Sequence, residues 1–291
     1  MLRDVAAWQE RHGYPLMFAT EASIDLAEDP ELMQLMVDAN ISNVFVGIET
    51  PNEQSLRETK KLQNLRARGG TMLEKVHRIQ EPGMEVWFIV RFDNDDSGIY
   101  AAQSRFVREA RIVQAMVNML VAIPRTPLYT RLAREGRLDL SDEAESWGGL
   151  GTNVIPRRIS REALRTGYVE LMHDLYTPEA YFGRLDELFL DARLQLGRAR
   201  TRYLRRHPLR RLKLNARLLA EAAAIFVMLM RGVPDASLRR EYRRRLMRLA
   251  WYRREPQIIQ TYAIKCAMHW HAHRMVQELL ARRRFSTDLA A

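Results

Sequence analysis

The sequence predicts an α/β protein: a partial, open barrel of parallel strands and helices over residues 1–140, followed by an all-α region over residues 141–291. Three observations carry this. Short apolar runs rich in β-branched and aromatic residues occur four times up to Ile123, separated by stretches of helical periodicity. No run of comparable quality follows Ile123. Beyond a glycine-rich link, Gly148-Gly-Leu-Gly151, the pattern is helical.

Taken in order, an amphipathic helix runs from Leu2 to His12 and stops at Gly13, which tolerates the left-handed conformation that ends helices. Leu16–Thr20 is the first strand. Asp29 caps a helix over Pro30–Ala39, with Pro30 at its first position. Val44–Ile48 is the second strand: too short for a core helix, it carries Gly47 where a ligand or backbone approaches, and Pro51 closes it because proline cannot donate to a ladder. A polar helix opens at Asn52 and Glu53, and a second, with Met72, Leu73, Val76 and Ile79 on its apolar side, runs to about Gln80. Pro82-Gly83 turns into a third strand, Glu85–Phe92; a loop at 93–96 leads to a helix over Ile99–Ala110, and Val113–Ile123 is the fourth strand. Such alternation implies right-handed crossovers, a parallel sheet and helices on one side. Four units with no further strands do not close an eight-stranded barrel.

Leu128–Glu135 is a helix stopped by Gly136. Asn153–Pro156 is a short extended piece, and helices follow over Ser160–Leu175 and Pro178–Leu196. A basic hairpin comes next, Leu209–Met230 and Ala236–Arg254 around Gly232-Val-Pro234, then a last helix from Pro256 to about Arg284.

The chain has 291 residues and a net charge of +10. Between Arg193 and Pro256 nineteen Arg or Lys face four Asp or Glu, a local balance of +15 that leaves −5 for the remainder. The longest apolar run, Ala222–Met230, is far short of the roughly 20 residues that cross a bilayer. The N-terminal stretch carries acids within its apolar pattern, so it does not read as a secretory signal, and a cytoplasmic address is expected, with a peripheral place at the inner membrane surface if the hairpin binds lipid. Cys266 is the single cysteine, which excludes an intrachain disulfide and a centre built from several thiolates.

Five segments in one order, Phe18-Ala-Thr-Glu-Ala-Ser-Ile-Asp-Leu-Ala27, Val44-Phe-Val-Gly-Ile-Glu-Thr-Pro51, Phe92-Asp-Asn-Asp95, Pro124-Arg-Thr-Pro-Leu-Tyr129 and Thr152-Asn-Val-Ile-Pro156, resemble the radical SAM enzymes that carry an N-terminal cobalamin-binding domain, in the subgroup that includes hopanoid methylases. The resemblance covers Met1 to about Arg184. It implies a radical SAM-type barrel, S-adenosylmethionine, a [4Fe-4S] cluster and cobalamin, and a reaction in which the cluster reductively cleaves S-adenosylmethionine, the radical takes hydrogen from an unactivated carbon, and methylcobalamin supplies a methyl group. It also marks departures. The cluster loop, Cys-x3-Cys-x2-Cys after the first barrel strand, and the cobalamin domain fall outside this sequence, so the expectation is a truncated relative, inactive alone unless an upstream fragment supplies the missing barrel half. Arg91 and Arg125 stand where the family has glycine.

Carried over onto this sequence, Glu49 and Gly47 of the Gly-Ile-Glu run are the candidate S-adenosylmethionine contacts; a helix cap is the competing role for Glu49. Thr20 and Glu21 at the preceding strand end are candidates for the same cavity or plain loop residues. Asp93 is a candidate cofactor contact, and with Asn94 and Asp95 it reads as a metal-binding cluster or a turn. His269 and His273, one helical turn apart, suggest a metal pair, but Trp270 between them and Met268 just before them favour packing or solvent exposure. The hairpin arginines 239, 240, 243, 244, 245 and 248, interleaved with Leu238, Tyr242, Leu246, Leu249 and Trp251, allow three readings: an anionic membrane surface with the apolar stripe toward lipid, nucleic acid, or a solvated face whose stripe packs inward. The alternative to an enzyme fragment is therefore a non-catalytic basic module.

Overall fold

A computed structural model describes residues 1–49, 70–90, 98–139 and 151–288. Four parallel strands, β1 (Phe18–Ala22), β2 (Ile41–Glu49), β3 (Glu85–Val90) and β4 (Ala115–Val117), pair in sequence order. Helices α1 (Leu2–His12), α2 (Pro30–Asp38), α3 (Met72–Gln80), α4 (Ile99–Glu109) and α5 (Pro127–Arg134) accompany the sheet. The remaining chain is helical: α6 (Arg161–Tyr176), α7 (Pro178–Asp186), α8 (Arg198–Arg205), α9 (Pro208–Gly232), α10 (Ala236–Tyr252) and α11 (Pro256–Asp288). The α/β class, the open parallel sheet and the helical region that follows it are thus as the sequence predicts.

Local chemistry sets these ends. Gly13 closes α1 at φ 82°, Asp29 Oδ1 accepts from Leu32 N at 2.8 Å to open α2, and Thr71 and Glu74 form a reciprocal capping box on α3. Ser160 caps α6 by accepting from Ala163 N at 3.0 Å.

The second strand is longer than expected, Ile41–Glu49 against Val44–Ile48, and three further boundaries differ for a visible reason. The first strand begins at Phe18 rather than Leu16, because the Leu16 carbonyl accepts from the side-chain amides of Gln9 at 2.8 Å and Asn40 at 2.6 Å instead of joining the ladder. The fourth strand is only Ala115–Val117, since the chain beyond it pairs with side chains: Asn153 bonds both the N–H of Ala122 at 2.8 Å and its carbonyl at 2.9 Å, and Thr152 donates to the Leu120 carbonyl at 2.5 Å. The helix expected over Pro178–Leu196 ends in a π-turn at Glu187–Asp191, where buried Arg253 donates to the carbonyls of Phe189 at 2.5 Å and Leu194 at 3.2 Å; a separate helix, α8, follows left-handed Gly197. The polar helix expected after Asn52 and the link at Gly148–Gly151 fall largely outside the described residues.

The sheet has two unlike faces. Val44, Val46, Val86, Phe88 and Ala115 share one face, fully or almost fully buried under the helices; the Phe88 ring lies 5.6 Å from that of Phe106 on α4. Buried residues continue without a break from this layer into α6, α7, α9, α10 and α11. In α10 Leu238, Tyr242 and Leu249 of the stripe are buried in that core, Leu246 is half-buried and Trp251 is exposed.

Candidate functional site

The opposite face of the sheet carries the rows Asn43–Glu85, Glu21–Phe45–Trp87 and Gly47–Ile89–Met116. Among the described residues no helix layer covers it beyond the Asn43–Glu85 end: Glu21 and Met116 are exposed, and Phe45, Gly47 and Trp87 are half-buried. This open face is the floor of the candidate site. Its C-terminal edge is where parallel α/β sheets bind ligands, and there β2 has a register shift between Gly47 and Glu49. Such bulges bend a strand and re-aim the residues beside them.

Glu21 and Gly47 are the two sequence-derived candidates whose rows lie on this face. Thr20 belongs to the Val44 row on the helix-covered face, and its hydroxyl donates to the Glu21 carbonyl at 3.3 Å. Glu49 pairs in register with Val90 at the sheet's C-terminal edge. Asp93 lies outside the described residues.

At the other end of the strands the floor is sealed. Lys265 of α11 reaches Glu85 at 2.5 Å, both buried, Asn43 donates to the second Glu85 oxygen at 3.2 Å, and the Lys265 ammonium sits 4.7 Å from the Trp87 ring centroid. The Phe45 and Trp87 rings meet edge-on at 4.8 Å. A charge pair this deep is tolerable because each partner is also hydrogen-bonded or stacked. From Glu85 to the Gly47–Ile89 row is four residues, about 13 Å at strand rise, so the ion pair is a base and not part of the ligand edge.

Two buried polar atoms next to this floor have no hydrogen-bond partner among the described residues: the Trp87 indole nitrogen and the Gln114 side-chain oxygen. Phe88 N donates to the main-chain carbonyl of Gln114 at 3.2 Å, which sets Gln114 next to the Trp87 row. Buried polar atoms are nearly always paired, and leaving one unpaired costs about 1–3 kcal/mol. Gln114 also lines a cleft of about 500 Å³ between β4 and α11, otherwise walled mainly by Met116, Tyr168, Tyr176, Ile264, Met268 and Met275. Burial pushes the Tyr168 and Tyr176 phenols up to about 12, and Tyr176 donates to the Ala115 carbonyl at 2.8 Å. These are neutral groups that shape the wall. Sequence reasoning missed Lys265, Trp87 and Gln114; only Glu85, a lone acid opening an apolar strand, signalled the buried pair.

The histidines do not form a metal site. His269 is buried, its Nδ1 2.7 Å from the Tyr242 hydroxyl and its Nε2 3.1 Å from the Tyr176 carbonyl. Burial holds it neutral, down to about 3. With Nε2–H donating to the carbonyl, Nδ1 accepts from Tyr242. Among the described residues no three His, Cys, Asp or Glu side chains converge on a metal position. Cys266 is buried in α11, and desolvation raises its thiol well above the usual range. One such thiol does not fit an iron–sulfur cluster, which takes several thiolates.

Residues 126–284, more than half of the chain, match the family described as a domain of unknown function (DUF4070). The chain belongs to this family. Its curated relatives include an uncharacterized methyltransferase of Synechocystis sp., 41% identical over 194 residues that make up 65% of this chain and 35% of that protein. The hopanoid C-2 methylase of Rhodopseudomonas palustris is 32% identical over 188 residues, 64% of this chain and 34% of the methylase. The bacteriochlorophyllide d C-12(1)-methyltransferase of Chlorobaculum tepidum is 20% identical over 163 residues, 56% of this chain and 35% of the enzyme. DUF4070 and these relatives make the chain a member of a radical SAM methylase-like family, corresponding to its C-terminal part. It spans about a third of the length of the curated relatives it matches.

Proposed function

We propose that this chain forms the acceptor-side portion of a radical SAM methylase. The observation that carries the reading is the open floor with its bulged C-terminal edge, which offers S-adenosylmethionine a close backbone approach at Gly47; the resemblance assigns Glu49, two residues on, to the same molecule. Glu21 borders the same floor. The cleft between β4 and α11 takes the apolar body of the methyl acceptor, in keeping with the hopanoid and bacteriochlorophyllide named for two relatives, and Gln114 offers its free carbonyl to a hydroxyl or N–H of that molecule. Trp87 offers a donor beside it. The cluster and cobalamin are held by residues outside these 291, in an upstream segment or a partner chain.

Calorimetric titration tests the cofactor half. S-adenosylmethionine binds the chain, and Glu49→Gln weakens it by roughly tenfold or more, the worth of a charge-assisted hydrogen bond. Fluorescence titration with a hopanoid tests the other half: Gln114→Leu weakens binding, and Trp87→Phe removes most of the signal. The chain combined with a polypeptide bearing the three-cysteine loop and reconstituted with iron and sulfide yields 5′-deoxyadenosine. If neither ligand binds and the mixture is inert, the reading fails.

A further inference from the structure

The inner side of α9, Leu218, Ala222 and Leu229, is buried against the bundle. Its outer side is apolar too. Leu209, Leu212, Leu219 and Val227 are 82%, 69%, 44% and 45% exposed, and Ala216, Ala220, Ala223 and Ala224 between them are exposed as well. At 100° per residue these eight side chains fall in one arc of about 140° that runs from Leu209 to Val227, about 27 Å along the helix. A helix apolar on both sides is ordinarily buried on both. Lys213 and Arg231 fall inside the arc toward one of its edges, Arg217 stands just past that edge, and Arg210 and exposed Met228 lie further round.

We infer that the outer face of α9 lies in the interface of an anionic lipid bilayer, with the leucine and alanine stripe entering the headgroup–acyl boundary and the basic border on the lipid phosphates. Charge decides among the possible covers. The segment from Arg193 to Pro256 carries a balance of +15, so a second copy of the same face brings like charges together, whereas an anionic surface neutralises them while the stripe leaves water. The helix lies on the membrane and does not cross it: among the described residues no helix is long and apolar enough to span one. Nucleic acid satisfies the arginines but leaves the leucines in water. On α10 Leu238, Tyr242 and Leu249 are turned into the core and the exposed Met247, Trp251 and Tyr252 cluster toward its C-terminal end, so the longer exposed apolar stripe is that of α9. This inference stands on surface residues alone and does not depend on the methylase reading.

Co-sedimentation of the chain with vesicles tests it. The protein pellets with equimolar phosphatidylcholine and phosphatidylglycerol, and far less with phosphatidylcholine alone. Lys213→Ala with Arg231→Ala lowers the partition coefficient on the order of thirty-fold, at about fivefold per cationic side chain near such a surface. Leu212→Asp with Leu219→Asp abolishes pelleting while leaving circular dichroism and melting unchanged, since both positions are solvent-facing; Met247→Asp on α10 has no effect. Equal and negligible pelleting with both vesicles overturns the proposal. So does binding that survives the leucine substitutions, a concentration-dependent dimer that those substitutions dissolve, or tighter retention of duplex RNA than of anionic vesicles.

Discussion

Arg125 has φ 67°, in the left-handed region where a Cβ crowds the following carbonyl at a cost of about 1–2 kcal/mol. The resemblance places glycine at this position, and the backbone explains why. Arg125→Gly should stabilise the chain by up to about 1 kcal/mol, the relieved strain less the entropy glycine loses on folding, read as a higher urea midpoint. His269 makes a second prediction. Its folded pKa, about 3, lies below the unfolded value near 6.5, so between the two the unfolded chain binds the extra proton and stability falls as the solution is acidified. The stabilisation is complete above the unfolded value. From pH 6.5 toward 3 the slope contributed by this residue approaches 1.4 kcal/mol per pH unit. His269→Gln should flatten the dependence of the urea midpoint on pH in that window; an unchanged slope would assign it elsewhere.

Between elements, the contact that decides most is α11 against the base of β3. Lys265→Met strands the Glu85 carboxylate in the core and should cost about 3–5 kcal/mol, whereas pairing it with Glu85→Gln should recover much of that loss, because a neutral amide needs no cation. Chemical denaturation of the two variants measures the difference. This pair also shows where legibility stopped. Strands, helix caps and the hairpin arms could be read because periodicity and capping are local: Asp29, Gly13 and Ser160 act as their chemistry implies. Lys265 and Glu85 are 180 residues apart, and nothing near either names the other. The Thr152-Asn153 clamp was visible only as a motif; the shortening of β4 that it enforces depends on side chains bonding a backbone some 31 residues away. Likewise, the alternation of β1 fixed which residues share a face, but not that Thr20 would be on the covered one and Glu21 on the open one.

At the scale of the whole molecule, half a barrel exposes apolar inner faces and strand edges that invite association. Here α11 crosses that exposure: it anchors at Lys265 below Trp87, packs Cys266 and His269 among the aromatics of α7 and α10, and walls the cleft beside β4. Because buried residues run continuously from the sheet into the helical region, the two should unfold together. Urea transitions followed by tryptophan fluorescence, which includes Trp87 in the sheet, and by far-ultraviolet circular dichroism, dominated by the helices, should coincide. A chain ending before Pro256 should lose both signals, since Glu85 would lose its cation and the stripe of α10 its cover. If the fluorescence transition persisted in that shortened chain with its midpoint unchanged, the sheet would be self-supporting and α11 only an attachment.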